Sequence, residues 1–223
     1  MFPWRGMSTK TIIFDLNGTL IDDLHISYGS VKEIFRVYGK PCPTFEQYRE
    51  EVSADFMKFY YRYKLPITAT KDDLNAIRGK FYKSHEIGAR LRPGAHRTLE
   101  WLNKFFYVAI VSAEITTNLY RILIENGIQK NFDFIKPEAG ANKSKALLQA
   151  SEIFGCAPQD MMYVDDTVDG LESAKTVGVV PVAFANPTGY NSERRLLEVT
   201  DLDISEIGEM KELLELQRRL QVV

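Results

Sequence analysis

The chain has 223 residues, of which 45% are hydrophobic and 26% charged, a composition typical of a folded domain rather than a disordered segment. Its formal net charge of −2 argues against a general nucleic-acid-binding protein, which is normally basic. No apolar run approaches the roughly 18 residues that a membrane span needs, so we expect none. The two cysteines, Cys42 and Cys156, are too few for a disulfide framework, and we therefore expect a reducing, cytoplasmic setting.

Short apolar runs alternate with longer segments of helical periodicity. The first run, Thr11–Phe14, leads directly into a polar loop that contains glycine, as a buried strand would. Similar runs predict strands at 108–111, 132–135, 161–164 and 179–184. The alternation of strand and helix is typical of an α/β fold with a Rossmann-like core, in which helices cover both faces of a parallel sheet.

The segment between residues 23 and 90 breaks this alternation, because it contains helical patterns and no good strand. Three apolar stripes at helical spacing run through it, over residues 24–38, 52–63 and 74–81. We therefore predict an inserted α-helical cap over residues 23–90, and a core formed by residues 1–22 and 91–223. Within the core, residues 207–220 are predicted to form a charged amphipathic helix that packs on the sheet.

Carboxylates stand at the ends of two predicted strands. Asp15 follows the first strand, and Asp165 and Asp166 follow the strand at 161–164. Ligands of parallel α/β sheets bind outside the carboxyl ends of the strands, so these three acids should converge there. Converging carboxylates repel one another unless a cation neutralises them, and Mg²⁺ prefers oxygen ligands of this kind. The pattern favours a Mg²⁺ site in which Asp15 is a ligand or a carboxylate nucleophile.

The same edge of the sheet carries groups suited to an anionic ligand. Gly18 allows the backbone to approach an anion closely and to present N–H groups to it. Ser112, at the end of the second predicted strand, can donate a hydrogen bond to a phosphate oxygen. Lys143, near the start of a predicted helix, can neutralise both a carboxylate and a phosphoryl group. Lys136 and Lys145 are alternatives for this role.

Four ordered motifs resemble those of the haloacid dehalogenase superfamily, in its phosphatase branch. Residues 14–20 (F-D-L-N-G-T-L) resemble the first family motif, D-x-D-G-T-L, and Val111-Ser112 is similar to the second, an apolar strand that ends in Ser or Thr. The third motif is a lysine that opens a helix, as in residues 142–147. The fourth is an acidic pair followed by a glycine and a small-residue helix, as in residues 165–175. The resemblance covers almost the whole chain.

The resemblance implies a catalytic role for the acidic residues. Asp15 would attack phosphorus and form an aspartyl-phosphate. Mg²⁺ would be bound by Asp15, by Asp166 and by the backbone carbonyl of Asn17. Asp165 would be a further ligand or would support the other two acids.

The resemblance also implies how substrate would be held. The phosphoryl oxygens would be bound by Gly18, Thr19, Ser112 and Lys143. The helical cap would close over the site, exclude water and select the leaving group. The implied partner is a small phosphorylated metabolite rather than a nucleic acid or a membrane, and the protein would be a monomer or a homodimer.

One residue departs from the family pattern. Asn17 stands where phosphatases of the family usually carry a second Asp, which protonates the leaving group and then activates water. An amide side chain can do neither. General acid–base catalysis contributes about 10²–10⁴-fold, so slow turnover is expected on esters with poor leaving groups. Acyl and aryl phosphates should be less affected, because their leaving groups need less protonation.

Three other functions are compatible with parts of this pattern. A dehalogenase of the superfamily would share the nucleophilic Asp but lack a metal, and the acidic pair argues against it. A phosphonate-cleaving enzyme also lacks the second Asp and would need a cap lysine to form a Schiff base. The cap offers Lys58, Lys64, Lys80 and Lys83 for that purpose. A non-catalytic protein that binds a phosphorylated ligand would need the binding groups alone.

Overall fold

The computed structural model describes residues 9–53, 56–84, 90–140 and 142–220. The strands described there are β1 (Thr11–Phe14), β2 (Ile21–Asp22), β3 (Arg90–Leu91), β4 (Tyr107–Val111), β5 (Phe134–Lys136), β6 (Met161–Asp165), β7 (Val180–Phe184) and β8 (Asp203–Ile204). A parallel six-stranded sheet has the order β5–β4–β1–β6–β7–β8, and β2 and β3 form a separate antiparallel pair.

The described helices fall into two groups, one on each side of β3 in the chain. The first group is α1 (Leu24–Val37), α2 (Phe45–Glu51), α3 (Phe56–Arg62) and α4 (Lys71–Ser84). The second group is α5 (Ala95–Leu102), α6 (Thr116–Glu125), α7 (Ser144–Phe154), α8 (Val168–Thr176), α9 (Glu193–Leu197) and α10 (Met210–Leu220). Within the described residues, no helix is long and apolar enough to cross a membrane.

Strand β1 lies in the middle of the parallel sheet and is fully buried, which explains why its sequence is continuously apolar. Its side chains alternate between the two faces of the sheet. Ile12 and Phe14 share a hydrophobic cluster with residues of α5, α6 and α10, whereas Ile13 packs with residues of α7 and α8. Helices therefore cover both faces, which confirms the predicted α/β fold and the packing of the last helix on the core.

The register of the sheet brings the carboxyl ends of its central strands to one edge. Phe14 of β1 lies opposite Ile110 of β4 and Val164 of β6. Asp15 and Asp165 each follow one residue later, so they emerge side by side from adjacent strands. The candidate site is built at this edge.

Helices α1–α4 pack around a hydrophobic cluster of their own, which is rich in aromatic rings. Its buried members are Leu24, Val31, Ile34, Phe35, Tyr48, Phe59, Tyr60, Leu65 and Leu74. Ile21 of β2 lies opposite Leu91 of β3, so the chain enters and leaves this helical unit at neighbouring points. We call α1–α4 the cap, since they form the helical insertion that the sequence predicts.

The stripe at residues 52–63, which the sequence predicts as one helix, is interrupted in the structure. Helix α2 ends at Glu51, Val52 takes an extended backbone conformation (φ −64°, ψ 137°), and α3 begins at Phe56. Apolar spacing does not detect such a break, because both pieces contribute to the same cluster.

The strands also differ in detail from the prediction. The strand predicted at 132–135 lies at Phe134–Lys136, because residues 129–131 form a 3₁₀ turn. The sequence predicts no strand within 23–90, whereas Arg90 begins β3. Strands β2, β3 and β8 have two residues each and are too short to produce an alternating pattern.

Candidate active site

Three buried carboxylates meet at the carboxyl edge of the sheet. Asp15 follows β1, Asp165 ends β6 and Asp166 comes next, and one oxygen of each lies within 4.8 Å of the others. The Lys143 ammonium, from the residue that precedes α7, lies 2.8 Å from Asp15 Oδ1 and 2.8 Å from Asp165 Oδ2. All four side chains are buried, so water does little to screen their charges.

Lys143 occupies the position that the sequence left open among three lysines. Its backbone N–H donates to the Ser173 hydroxyl at 3.1 Å, which fixes the start of α7 beside the acids. Lys136 lies in β5, where its backbone carbonyl accepts a hydrogen bond from the Ser112 N–H at 3.0 Å. Lys145 is exposed on α7. Neither of these two has a described contact with Asp15.

Both carboxylate oxygens of Asp165 accept hydrogen bonds. Oδ2 accepts from Lys143, and Oδ1 accepts from the Thr167 N–H at 2.8 Å and from the Thr167 hydroxyl at 2.7 Å. Gly170 packs against this carboxylate so closely that a Cβ at that position would collide with it. These contacts indicate that Asp165 positions Lys143.

Gly18 and Thr19, both predicted to bind phosphoryl oxygens, make their described contacts within the site itself. The Gly18 N–H donates to the Ile21 carbonyl and to Asp23 Oδ1, both at 2.9 Å, so it is already used within the loop. The buried Thr19 hydroxyl donates to Asp166 Oδ1 at 2.9 Å. Gly18 has φ +79°, and a Cβ there would collide with the Asp166 carboxylate. Both residues therefore shape the loop around Asp166, and neither is among the described residues that line the cavity.

The charges of the cluster are unbalanced. Burial raises the pKa of Asp15 to about 6, although the Lys143 ammonium acts in the opposite direction. Burial, with the neighbouring Asp165 and Asp15 carboxylates, raises the pKa of Asp166 well above its ordinary value. Burial favours the neutral form of Lys143, but the carboxylates of Asp15 and Asp165 outweigh it and raise its pKa. One ammonium offsets three carboxylates only in part.

This donor set fits a divalent cation such as Mg²⁺. Three carboxylate oxygens within 4.8 Å are hard ligands of the kind that Mg²⁺ prefers, and a divalent charge would offset the two negative charges that Lys143 leaves. Asp165 already accepts three hydrogen bonds, which favours Asp15 and Asp166 as the direct ligands. A cation there would lower the pKa of both acids and keep them ionised.

Asn17 makes a contact that the sequence does not reveal. Its Nδ2 donates to Glu114 Oε2 at 2.8 Å, and Glu114 Oε1 accepts from the Ile115 N–H at 2.9 Å. Both Asn17 and Glu114 line the cavity described below. A carboxylate is thus fixed beside the residue that replaces the usual Asp. The two residues are 97 positions apart, so no local pattern relates them.

Asp23 is a further buried carboxylate beside the cluster that the sequence analysis did not identify. Asp23 Oδ2 accepts from the Tyr190 hydroxyl at 3.1 Å, and Oδ1 accepts from Gly18. Burial raises the pKa of Asp23 to about 7, although both hydrogen bonds act in the opposite direction. The Tyr190 N–H also donates to Asp166 Oδ2 at 2.6 Å, so Tyr190 connects the two acids.

The cap is tied to the core through the loop at residues 186–191. Arg49 of α2 donates to the Gly189 carbonyl at 2.8 Å, to the Asn191 carbonyl at 3.0 Å and to the Asn186 carbonyl at 3.2 Å. The same loop carries Tyr190, which contacts Asp166. Arg49 thus connects the cap to the loop that supports the acidic cluster.

Between the cap and the core lies a cavity of about 600 Å³. Asp15, Ser112 and Lys143 line its core wall, so the predicted nucleophile and two predicted phosphoryl-binding groups face one space. The cap wall includes Ser27, Tyr48, Phe56, Lys71, Asn75 and Arg78. The volume suits a small-molecule ligand.

The sequence of this chain is similar to those of known hydrolases and phosphatases. The family model of haloacid dehalogenase-like hydrolases matches residues 12–184. A phosphoglycolate phosphatase of Thiobacillus denitrificans is 26% identical over 212 residues, which cover 89% of this chain and 90% of the relative. A phosphorylated carbohydrates phosphatase of Thermotoga maritima is 23% identical over 202 residues, covering 85% of this chain and 90% of that protein.

The fold is also similar to the folds of solved structures. A haloacid dehalogenase-like hydrolase from Streptococcus pneumoniae superposes with a TM-score of 0.77 at 22% identity, over 92% of this chain and 98% of that one. The parallel sheet, the inserted helices and the acidic strand ends define a hydrolase of the α/β class. The chain belongs to the haloacid dehalogenase-like hydrolase family, as its motifs predict.

Proposed function

We propose that the protein is a Mg²⁺-dependent phosphatase that hydrolyses small phosphomonoesters through an aspartyl-phosphate on Asp15. The observation that carries the proposal is the buried cluster in which Lys143 joins Asp15 to Asp165 beside the cavity between the cap and the core. The similarity to phosphatases of small phosphorylated compounds supports the same class of substrate. The acidic pair at 165–166 favours a metal-dependent phosphatase over a dehalogenase.

Asp15 is the proposed nucleophile. Its carboxylate would form a bond to phosphorus while the bond between phosphorus and the leaving oxygen breaks, and water would then displace the phosphoryl group as inorganic phosphate. The Lys143 contact at 2.8 Å holds the carboxylate in one orientation and favours its ionised form. Asp165 supports this arrangement through its own contact with Lys143.

Ser112 and Lys143 are proposed to bind the phosphoryl oxygens, since both line the cavity beside Asp15. Asp15, Asp166 and the backbone carbonyl of Asn17 would hold Mg²⁺, with Asp165 behind them. When bound, Mg²⁺ would supply positive charge that offsets the charge developing on the phosphoryl oxygens. The cap, which we assign to residues 23–90, would exclude water from the cavity and select the leaving group.

Asn17 is proposed to slow the reaction. Its amide is fixed on Glu114 and can neither protonate a leaving oxygen nor activate water. Turnover of alkyl esters should therefore be slow, whereas aryl and acyl phosphates should phosphorylate Asp15 readily.

The proposal is tested by measuring phosphate release from an aryl phosphate, from acetyl phosphate and from phosphoglycolate, with Mg²⁺ or with EDTA. We expect release that requires Mg²⁺ and is abolished by Asp15→Asn. Asp160→Asn, which changes an acid outside the cavity, is the matched control and should retain activity. Phosphate release that needs neither Mg²⁺ nor Asp15 would overturn the proposal. Saturable phosphate binding without release from any ester would favour the non-catalytic alternative.

A further inference from the structure

Glu114 is held in place by the loop between β4 and α6. Its backbone N–H donates to the Ser112 hydroxyl at 3.2 Å, and its side-chain Oε1 accepts from the Ile115 N–H at 2.9 Å. Ile115 directly precedes α6, so the Glu114 side chain is fixed at the start of that helix. The second carboxylate oxygen, Oε2, accepts from Asn17 Nδ2 at 2.8 Å. The direction in which the Asn17 amide faces is therefore set by a residue that is itself fixed.

The contact with Glu114 determines which atom of the Asn17 amide remains for a ligand. A carboxylate can only accept hydrogen bonds, so the amide must present its Nδ2 to Glu114. In the described part of the chain, the amide oxygen Oδ1 accepts no hydrogen bond. Asn17 lines the cavity two residues after Asp15, which lines it too. Its side chain thus offers an acceptor close to the proposed nucleophile.

An acceptor at this place suits the second step of the proposed reaction. In that step the oxygen of a water molecule forms a bond to phosphorus, the bond from phosphorus to Asp15 breaks, and its electron pair returns to the Asp15 carboxylate. A water that donates a hydrogen bond to Asn17 Oδ1 keeps its lone pairs free to attack. If Nδ2 faced the same water, it would donate to a lone pair and make the water a weaker nucleophile.

We propose that Glu114 is a positioning residue, which turns the Asn17 amide so that Oδ1 orients the water that attacks the aspartyl-phosphate. The amide removes no proton, so the step remains slow. One proton stays on the incoming oxygen, and the other passes to a second oxygen of the phosphate that is released. This inference rests on the proposed phosphatase function, because it concerns the hydrolysis of the intermediate on Asp15.

The test follows the decay of the aspartyl-phosphate in the native protein, in Glu114→Ala, in Asn17→Ala and in the double variant. Each protein is labelled with a ³²P-labelled aryl phosphate and Mg²⁺, chased with unlabelled ester and quenched with acid at intervals. We expect Glu114→Ala to slow the decay about 3- to 10-fold, as loss of one hydrogen bond would, and to keep the rate of phosphorylation within about twofold of native. In the Asn17→Ala background the same change should have no further effect, because the amide through which Glu114 acts is absent.

Two further variants separate positioning from a structural role. Glu114→Gln keeps an oxygen that can accept from Asn17, so its decay rate should lie between those of Glu114→Ala and the native protein. Glu138→Ala is the matched control. The Glu138 carboxylate accepts from the Thr116 N–H at 3.2 Å and from the Thr116 hydroxyl at 3.1 Å, at the start of the same helix, and has no described contact with Asn17. This variant should keep the native decay rate. If Glu114→Ala does not fold, Glu114→Gln takes its place in the cycle.

The outcomes distinguish this inference from the proposed function. A native or faster decay in Glu114→Ala would overturn the inference. Equal slowing in the native and Asn17→Ala backgrounds would also overturn it, since Glu114 would then act without Asn17. Both results would leave the proposed phosphatase in place, because the aspartyl-phosphate still forms. A native protein in which Asp15 is never phosphorylated would overturn the proposed function and this inference together.

Discussion

The two walls of the cavity are built in different ways. On the core wall, Asp15 projects from the end of a buried strand and Lys143 from the start of a helix, and short hydrogen bonds to each other and to Asp165 behind them hold both. On the cap wall, Lys71 and Arg78 project from one helix and are held by an aromatic ring. The core wall concentrates negative charge around one ammonium, and the cap wall presents cations without acidic partners.

From this difference we expect the core wall to carry out the reaction and the cap wall to select the substrate. A strand in the middle of a six-stranded sheet cannot move without breaking the core, so groups at its end keep fixed distances. The cap lies outside the sheet and is attached to the core by the β2–β3 pair and by hydrogen bonds such as those of Arg49 and Asn191, so its side chains can change with less effect on the sheet. We expect core-wall changes to act on kcat and cap-wall changes to act on KM.

The largest effect is expected from Lys143→Met. The change leaves buried carboxylates without their cation, which should lower the unfolding free energy by about 3–5 kcal/mol and lower kcat by at least about 10²–10³-fold. Mg²⁺ should recover part of the stability, because it binds the folded cluster. Urea denaturation and steady-state kinetics measure both effects. Lys145→Met, on the exposed face of α7, should retain both stability and activity, and the opposite ranking would contradict the assignment of Lys143.

The Asn17→Asp change is expected to raise the rate of hydrolysis of alkyl phosphates. The new carboxyl group would lie beside Glu114, and repulsion between the two acids should raise the pKa of one of them, as a general acid requires. The rate on alkyl phosphates should rise by about 10²-fold, and the rate on aryl phosphates by less. Asn17→Ala, which removes the amide without adding an acid, should give no gain. Equal changes on both classes of ester would show that Asn17 does not limit protonation of the leaving group.

Asp23→Asn should change how stability depends on pH. The pKa of Asp23 is about 7 in the folded protein and near 4 in the unfolded chain, so the folded state binds more protons between these values. Stability should therefore fall as the pH rises from about 4 to about 7, by up to about 4 kcal/mol from this residue. Urea denaturation in EDTA at several pH values should show a weaker decline for the variant. Asp72→Asn, at an exposed position, should keep the native decline, and an unchanged slope in Asp23→Asn would reject this cause.

The smallest effect is expected from Arg49→Met, which removes three hydrogen bonds between the cap and the loop at 186–191. We expect a loss of roughly 1–3 kcal/mol in stability and a rise in KM with a smaller change in kcat. Arg62→Met removes an exposed pair with Glu51 and should cost under about 1 kcal/mol. A fall in kcat without a rise in KM would contradict the division between the two walls.

The sequence predicts the core wall well because its residues follow from local patterns. A continuous apolar run marks β1, its end marks Asp15, and the parallel arrangement brings Asp165 and Asp166 to the same edge. The choice of Lys143 among three lysines needed the structure, since all three lie within ten residues of one another.

The remaining contacts depend on long-range packing that no local pattern encodes. Glu114 reaches Asn17 across 97 residues, and Tyr190 reaches Asp23 across 167. The use of the Gly18 N–H by Asp23 depends on how the loop closes on itself, which the glycine alone does not indicate. The cations of α4 look like ordinary surface residues in the sequence, and their position on the cavity follows from the packing of the cap.

The central claim, that Asp15 is phosphorylated and that Asn17 delays its hydrolysis, is tested most directly by rapid-quench kinetics with an aryl phosphate and Mg²⁺. Formation of the aspartyl-phosphate needs little protonation of an aryl leaving group, whereas its hydrolysis lacks a base. We expect a burst of about one phenol per chain, slow turnover afterwards, and a phosphoryl group on the peptide that contains Asp15. Linear product release, with no phosphorylated peptide at any time point, would contradict the claim.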